Sequence, residues 1–504
     1  MQLEEFLEQS ALRTPGKTAL IAGDRRWTYA EIDALCNRFA ATLSSLRVQR
    51  WDRVVIAMEN SVEMVVAIFA TLKLGAVFVP VNPTTKSDKL TYILKNSQAR
   101  CLIADAARIG ALNDVAETGV EAMVPQSDVP SSSGHDKDAP DRPAKTGIDM
   151  DLAALIYTSG STGMPKGVML SHLNMVSAAT SITTYLENTP DDIILNVLPM
   201  SFDYGLYQVL MAFKTGATLV LEKGFTFPAA ALNLIAREKV TGFPIIPTIS
   251  AILLQMDLQR WDLSSLRYLT NTGAALPGSH VVKLREALPH TRIYSMYGLT
   301  ECKRVSYLPP DQIDTRPDSV GRGMPNEEVY IVNEQGEQVG PDVVGELVIR
   351  GSNVMQGYWG MPDATARVLK AGRFPWERAL HSGDLFRKDA EGYLYFVGRR
   401  DEMIKSRGQK VSPKEIEEVL YRFPGVAEVA VVGVPDPVLG AAIRAVIVPQ
   451  QGRAITAKEV LSYCAERLED YAVPHSVEFR ESLPRTTTGK IAKRELTSST
   501  EVAA

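Results

Sequence analysis

The chain has 504 residues, 45% of them hydrophobic and 22% charged, with a formal net charge of −5. That length exceeds one ordinary core and predicts roughly three domains or subdomains, while so thin an acidic balance excludes a nucleic-acid binder held by phosphate contacts. The four cysteines (Cys36, Cys101, Cys302, Cys464) lie far apart, with no Cys-x-x-Cys and no histidine at metal spacing, which excludes a disulfide framework or zinc site and points to a reducing cytoplasm.

The first residues, Met1-Gln-Leu-Glu-Glu-Phe-Leu-Glu, are acidic where a signal peptide would be basic. The most apolar stretch, 62–81, contains Glu63 and Lys73 and is interrupted by Gly75 and Pro80, so it reads as a helix and a strand inside a core, with no membrane span. Within 53–80 the pattern is that of a parallel α/β unit. Val54-Val55-Ile56-Ala57 forms a strand, Ser61 caps a helix reaching Leu74, Gly75 takes the left-handed C-terminal cap, and the next strand covers 76–79. Strand-like runs recur at 101–104, 152–157, 193–198 and 217–221, separated by helix-length segments, and predict a mostly parallel sheet covered by helices. Residues 118–148 lack periodicity and read as a surface loop.

A boundary falls near Arg399-Arg400-Asp401. Beyond it, Ser412-Pro-Lys-Glu415 reads as a capping box with proline at the first helical position, Ile416, Val419 and Leu420 form one apolar face, and strands follow at 429–432 and 445–448. The expected fold is therefore α/β, with a large domain over 1–400 and a small α+β domain over 401–504.

The strand at 152–157 runs into Tyr157-Thr-Ser-Gly-Ser-Thr-Gly-Met-Pro-Lys-Gly167. Thr158, Ser159, Gly160, Ser161, Thr162 and Gly163 supply hydroxyls and backbone N–H groups without side-chain obstruction, and Lys166 adds a cation, which is equipment for gripping a polyphosphate. The Walker spacing G-x-x-x-x-G-K-[ST] does not fit these positions.

As it stands, this loop resembles the signature loop of the adenylate-forming superfamily, which includes acyl-CoA synthetases, aryl-CoA ligases, luciferases and amino-acid adenylation domains. Three further blocks carry the resemblance over nearly the whole chain. Tyr297, Gly298, Leu299, Thr300 and Glu301 match the nucleotide-lining block, which implies a Mg²⁺ ligand at Glu301; a plain helix-start carboxylate is the alternative. Upstream, Thr272, Gly273, Ala274 and Ala275 match the segment along the adenine. His381-Ser-Gly-Asp384 with Gly398-Arg399 matches the ribose-binding aspartate and its partner, in the roles of Asp384 and Arg399. Pro484-Arg-Thr-Thr-Thr-Gly-Lys490 matches the loop that brings a catalytic lysine, Lys490, to the reacting carboxylate and α-phosphate.

The resemblance implies an ATP- and Mg²⁺-dependent acid–thiol ligase. Acyl-AMP and pyrophosphate form first, and a thiol of coenzyme A or of a carrier protein's phosphopantetheine then displaces AMP. Between the steps the small domain rotates about a hinge matched by Asp401, exchanging the Lys490 loop for the segment from Lys405 to Lys410, with Gly408 giving room to the pantetheine arm.

The same comparison places Phe202, Asp203, Tyr204, Tyr207, Thr270, Thr272, Met296, Arg304 and Val305 around the acid. Asp203 has two readings. It pairs with the α-ammonium of an amino acid, which would make the protein a free-standing enzyme loading a separate carrier, or it caps the following helix or pairs with Arg304. A kinase is disfavoured by the loop spacing, and a non-catalytic relative by the intact Lys490, Glu301 and Asp384. A luciferase-like oxygenase would show itself by an oxygen requirement.

Overall fold

The computed structural model describes residues 1–112, 118–132, 142–158, 164–274, 276–406, 409–436, 440–450, 452–486 and 490–497. Two mostly parallel sheets dominate the large domain. One runs, from edge to edge, through Arg322–Gly323, Ser306–Tyr307, Arg292–Tyr297, Tyr268–Asn271, Gly242–Ile245, Ile193–Asn196, Thr218–Leu221, Thr18–Ala22 and Arg25–Thr28. The other runs through Gly357–Tyr358, Lys166–Ser171, Leu152–Thr158, Val77–Pro80, Arg53–Ala57, Ala99–Ala104 and Ala122–Pro125. In both, the interior ladders are parallel and antiparallel pairs sit toward the edges.

Alternation along the strands divides their side chains between two cores. Val54, Ile56 and Phe78 face the large shared core, while Val55, Ala57 and Val79 face a second cluster with Leu90 and Leu94. Helix Val62–Lys73 is buried nearly all round, with only Glu63 escaping, and packs Phe69 against Phe213 of helix Asp203–Thr215 at 5.2 Å between ring centroids. The apolar stretch is thus a central core helix, and among the described residues no helix is long and apolar enough to cross a membrane. Its Ser61 cap, which accepts from the Met64 N–H, and Gly75 at φ +68° stand where expected.

Two expectations are corrected. Within 118–148, Ala122–Pro125 pairs in parallel with Ala99–Ala104, and Val129 is buried, so this stretch contributes an edge strand; alternation there was too short to read. At Ser412 only half of the capping box forms: its Oγ accepts from the Glu415 N–H, but that hydroxyl also donates to the Val397 carbonyl, tying the helix to the strand Leu394–Arg399.

An antiparallel sheet of Glu327–Val332, Gly345–Gly351, Arg378–Lys388, Leu369–Ala371 and Leu394–Arg399 follows the two large ones. Beyond it, strands Ile404–Ser406, Gln409–Val411, Val426–Asp436, Gly440–Pro449 and Ser476–Phe479 with helices Pro413–Tyr421 and Ala457–Ala465 enclose their own core around Ile416, Leu420, Val431 and Ile447.

Helix Asp203–Thr215 begins against the loop that delivers Phe202 and Asp203. A Cβ on Gly205 would stand 2.3 Å from the Pro199 carbonyl oxygen and 2.5 Å from that of Leu198, and the Gly205 carbonyl accepts from Asn196 Nδ2 at 3.1 Å. Backbone meets backbone here, so no side chain can yield. Gly205→Ala should therefore destabilise the fold by roughly 1–3 kcal/mol, read as a lower midpoint in urea.

Candidate active site

Strands Leu152–Thr158 and Lys166–Ser171 form a hairpin in which Thr158 opposes Lys166, so both ends of the phosphate-loop candidate are fixed by a ladder. Residues 159–163, with Ser159, Gly160, Ser161, Thr162 and Gly163, lie outside the described residues. The Lys166 ammonium stands 5.1 Å from the centroid of the Tyr358 ring, and the Tyr358 hydroxyl donates to Glu301 Oε1 at 2.8 Å. Tyr358 thus joins the loop's cation to the candidate metal carboxylate.

Glu301 sits in a turn, so the helix-start alternative fails. Among the described residues no group of three or more His, Cys, Asp or Glu converges as a metal cage. One carboxylate beside a phosphate site fits Mg²⁺, which keeps water and phosphate oxygens as its other ligands.

The turn after Glu301 is tight. Lys303 N–H donates to the Leu299 carbonyl at 2.6 Å, Lys303 takes φ +73°, and a Cβ on Gly298 would meet the Lys303 carbonyl oxygen at 2.0 Å. Only glycine fits at 298. The left-handed conformation sends Lys303 inward, where it is 1% exposed and donates to the Thr300 carbonyl at 3.0 Å. Burial pulls its ammonium below the ordinary lysine range, and the Asp203 and Glu301 carboxylates oppose that. Asn353 Nδ2 ties the turn from outside, donating to the carbonyls of Cys302 at 2.8 Å and Arg304 at 3.3 Å and to Glu327 Oε2.

On the nucleoside side, strand Tyr268–Asn271 runs into Thr272 and Gly273 at φ +87°; the Ala274 carbonyl accepts from Asn271, and Ala275 is outside the described residues. Asp384, 5% exposed, accepts from the Tyr297 hydroxyl at 2.5 Å and lies 3.7 Å from Arg399 Nε, which it shares with Asp401 at 3.1 Å. Glu346 holds the preceding turn by accepting from the Gly383 N–H at 3.0 Å. Desolvation lifts the Asp384 carboxyl to about 6, against the lowering by Tyr297, Arg399 and Lys490. Lys490 itself, from the small domain, brings its Cε within 3.9 Å of the Cβ position on Gly273, on whose other side lies Phe202.

The acid-side residues come together. The Tyr204 hydroxyl meets Thr270 Oγ1 and the Thr270 carbonyl at 2.7 Å, and the Arg304 guanidinium lies 4.5 Å from the Tyr204 ring centroid. Met296 Sδ accepts from the Tyr185 hydroxyl at 3.0 Å, the Val305 N–H donates to the Tyr297 carbonyl at 2.9 Å, and Thr272 Oγ1 is buried without a partner. Tyr207 is fully buried, with the charges of Asp203 and Arg304 both reaching its phenol. Both structural readings of Asp203 fail. The helix N-cap is Phe202, with Asp203 one residue inside, and no ion pair joins Asp203 to Arg304 among the described residues.

The side chains of Lys405 and Lys410, and Gly408 itself, are outside the described set, although Lys405 and Lys410 pair across a hairpin. Sequence reasoning missed Tyr358, Lys303 and Asn353. Lys303 adjoins a recognised block, but a lysine gives no sign of burial until its backbone conformation is known. Tyr358 lies 57 positions downstream of Glu301, and Asn353 lies 51 and 49 positions downstream of Cys302 and Arg304.

The AMP-binding enzyme family model matches residues 7–359, and that of the AMP-binding enzyme C-terminal domain matches 415–490. Indoleacetate–CoA ligase of Aromatoleum aromaticum is 33% identical over 98% of this chain and 97% of its own length. Feruloyl-CoA synthase of an Amycolatopsis species is 36% identical over 96% of each. ATP-bound MatB from Rhodopseudomonas palustris superposes with a TM-score of 0.88 at 28% identity, covering 99% of this chain and 98% of that one.

The raised Asp384 carboxyl gives a pH signature. Its folded value of about 6 exceeds the ordinary 3.8, so the proton is held more tightly folded than unfolded. The stability this contributes is complete below about pH 3.8 and is lost as pH rises through about 6. Asp384→Asn should therefore gain thermal stability relative to the parent between pH 5 and pH 8, by about 2–3 kcal/mol at most. Binding of adenosine, which does not titrate there, should weaken in the parent as pH falls below about 6 and lose that dependence in the variant.

Proposed function

Because the chain belongs to the AMP-binding enzymes, we propose that it is an AMP-forming acid–thiol ligase of the acyl-CoA synthetase type, in which Lys490 serves the adenylation step and coenzyme A is the thiol. The observation that carries the division of roles is the placement of Lys490, from the small domain, beside Gly273 and within electrostatic reach of Asp384. A compact cation there meets charge as it develops between the acid's carboxylate and the α-phosphate, which stabilises the transition state more than the bound substrates. The carboxylate oxygen bonds to the α-phosphorus as the bond to pyrophosphate breaks.

Asp384 accepts the ribose hydroxyls, with Arg399 keeping it ionised, and Thr158, the 159–163 loop and Lys166 grip the outer phosphates. Mg²⁺ held at Glu301 would neutralise charge on the departing pyrophosphate. The Gly298–Thr300 backbone and Ala274 complete the walls of the nucleoside site.

For the second step, the small domain turns about Asp401, which is exposed between Arg399 and the strand at Ile404–Ser406. The turn withdraws Lys490 and presents Lys405 and Gly408, so that the thiol attacks the acyl carbon and AMP leaves. The relatives, both CoA-dependent by name, support free coenzyme A. The four free, buried cysteines agree with a cytoplasmic setting. An amino acid loaded onto a carrier protein is the second reading, supported by the Asp203 carboxylate, which makes no hydrogen bond or ion pair among the described residues.

Separating the half-reactions tests the scheme. Lys490→Ala should slow acid-dependent ATP–pyrophosphate exchange by about a hundredfold or more, while thioester formation from supplied acyl-AMP stays within a few-fold of the parent. Equal loss in both would remove the two-position cycle.

Asp401→Pro should do the reverse. Fixing φ near −65° restricts the rotation, so exchange should persist while CoA-dependent release of AMP fails; a variant that completes both steps at the parental rate would move the hinge elsewhere.

A further inference from the structure

The segment 352–359 straps the Glu301 turn to the phosphate-loop hairpin. The Met355 N–H donates to the Glu301 carbonyl at 2.8 Å, the Gln356 N–H to the Met169 carbonyl at 2.9 Å, and the Trp359 N–H to the Gly167 carbonyl at 2.8 Å. Asn174 Nδ2 holds the start of the strap, donating to the carbonyls of Ser352 at 2.7 Å and Val354 at 2.8 Å. Its far end is pinned by the Trp359 indole N–H, which donates to the Asn96 carbonyl at 3.0 Å. Two parts of the nucleotide site, remote in sequence, are thereby kept in one register.

One side chain of the strap touches the charged groups of both parts. Tyr358 is 7% exposed, and its backbone pairs with Val168 of strand Lys166–Ser171. The Tyr358 N–H donates to Thr365 Oγ1 at 2.9 Å, and the Thr365 hydroxyl donates to the Met361 carbonyl at 2.9 Å. The root of the ring is therefore fixed. From that root the hydroxyl donates to Glu301 Oε1 at 2.8 Å, while the Lys166 ammonium lies 5.1 Å from the ring centroid.

The two charges meet the same phenol and not each other. Among the described residues Glu301 forms no ion pair, and its Oε2 accepts no hydrogen bond. A glutamate has three side-chain torsions to order before it can hold a metal, and a donor on one oxygen orders them in advance. The ring face gives the ammonium an electron-rich seat that leaves its N–H groups for phosphate oxygens.

We propose that Tyr358 is a positioning residue for the metal and the outer phosphates: its hydroxyl occupies Glu301 Oε1 and leaves Oε2 for Mg²⁺, and its ring seats Lys166. The assignment rests on Glu301 being the metal carboxylate.

The test is calorimetric binding of α,β-methylene ATP to the full chain, with Mg²⁺ and with EDTA, and with no acid present. Tyr358→Phe, which keeps the ring, should cut the Mg²⁺-dependent gain in affinity by roughly tenfold and leave the affinity in EDTA unchanged. Tyr358→Leu, which removes the seat as well, should also weaken binding in EDTA by about two- to fivefold. In a Glu301→Gln background Tyr358→Phe should cost nothing further, because the hydroxyl acts through that carboxylate. Thr365→Ala, which frees the root of the ring, should lower the gain in the same direction and decides alone if the Phe variant does not fold. A parental gain in Tyr358→Phe, with Glu301→Gln losing it, would overturn the role of Tyr358 and leave Glu301 as the metal carboxylate. Equal weakening with Mg²⁺ and with EDTA would make Tyr358 a packing residue and overturn it too. A gain that survives Glu301→Gln would remove the metal reading of Glu301 itself, and this assignment with it.

Discussion

A missing side chain at Gly298 allows the site to exist. The turn from Leu299 to Arg304 folds back so closely that the Lys303 carbonyl occupies the space a Cβ at 298 would need. That reversal sends the side chains of one short segment to different partners: Glu301 accepts from the Tyr358 hydroxyl, whose ring stands beside Lys166, while the Arg304 guanidinium rests on the Tyr204 ring.

Such a turn needs bracing, because the left-handed backbone at Lys303 and two desolvated cations both oppose it. Asn353 supplies the brace by capturing the carbonyls on either side of Lys303. Behind Asn353 stands Glu327, half-buried, whose carboxyl desolvation pushes well above the ordinary range.

Much of this was legible in the sequence because the nucleotide half of the site consists of contiguous blocks. Thr158 and Lys166 close one hairpin, Tyr297 to Glu301 is one strand end, and Asp384 to Arg399 is one ladder pair, each with glycines or charges that declare the local geometry. The acid half is built differently. Asp203, Thr270 and Arg304 come from three separate elements, so their identities were readable but their pairing was not. Asp203 invited a cap or an Arg304 ion pair, and only the three-dimensional arrangement shows that Phe202 is the N-cap and that Asp203 forms no such pair among the described residues. The edge strand Ala122–Pro125 was missed for a similar reason: four residues in a polar stretch show no period until a neighbouring strand supplies the register.

The junction between the two domains follows a different rule from either core. Lys490 reaches the large domain, but the contacts that hold its neighbours there are small and polar. Arg485 donates to Thr248 Oγ1 at 2.7 Å, Arg422 lies 3.9 Å from Asp318, and Tyr421 meets the His280 ring edge-on at 6.1 Å. Exposed polar contacts of this kind contribute at most about 1 kcal/mol each. The small domain keeps its own apolar core around Ile416 and Val431 and exposes none of it by turning. In the proposed cycle, Lys490 is therefore carried on a body whose folding does not depend on where it is docked. Contacts this small would hold the proposed adenylation position and still let the arrival of a thiol substrate shift the balance.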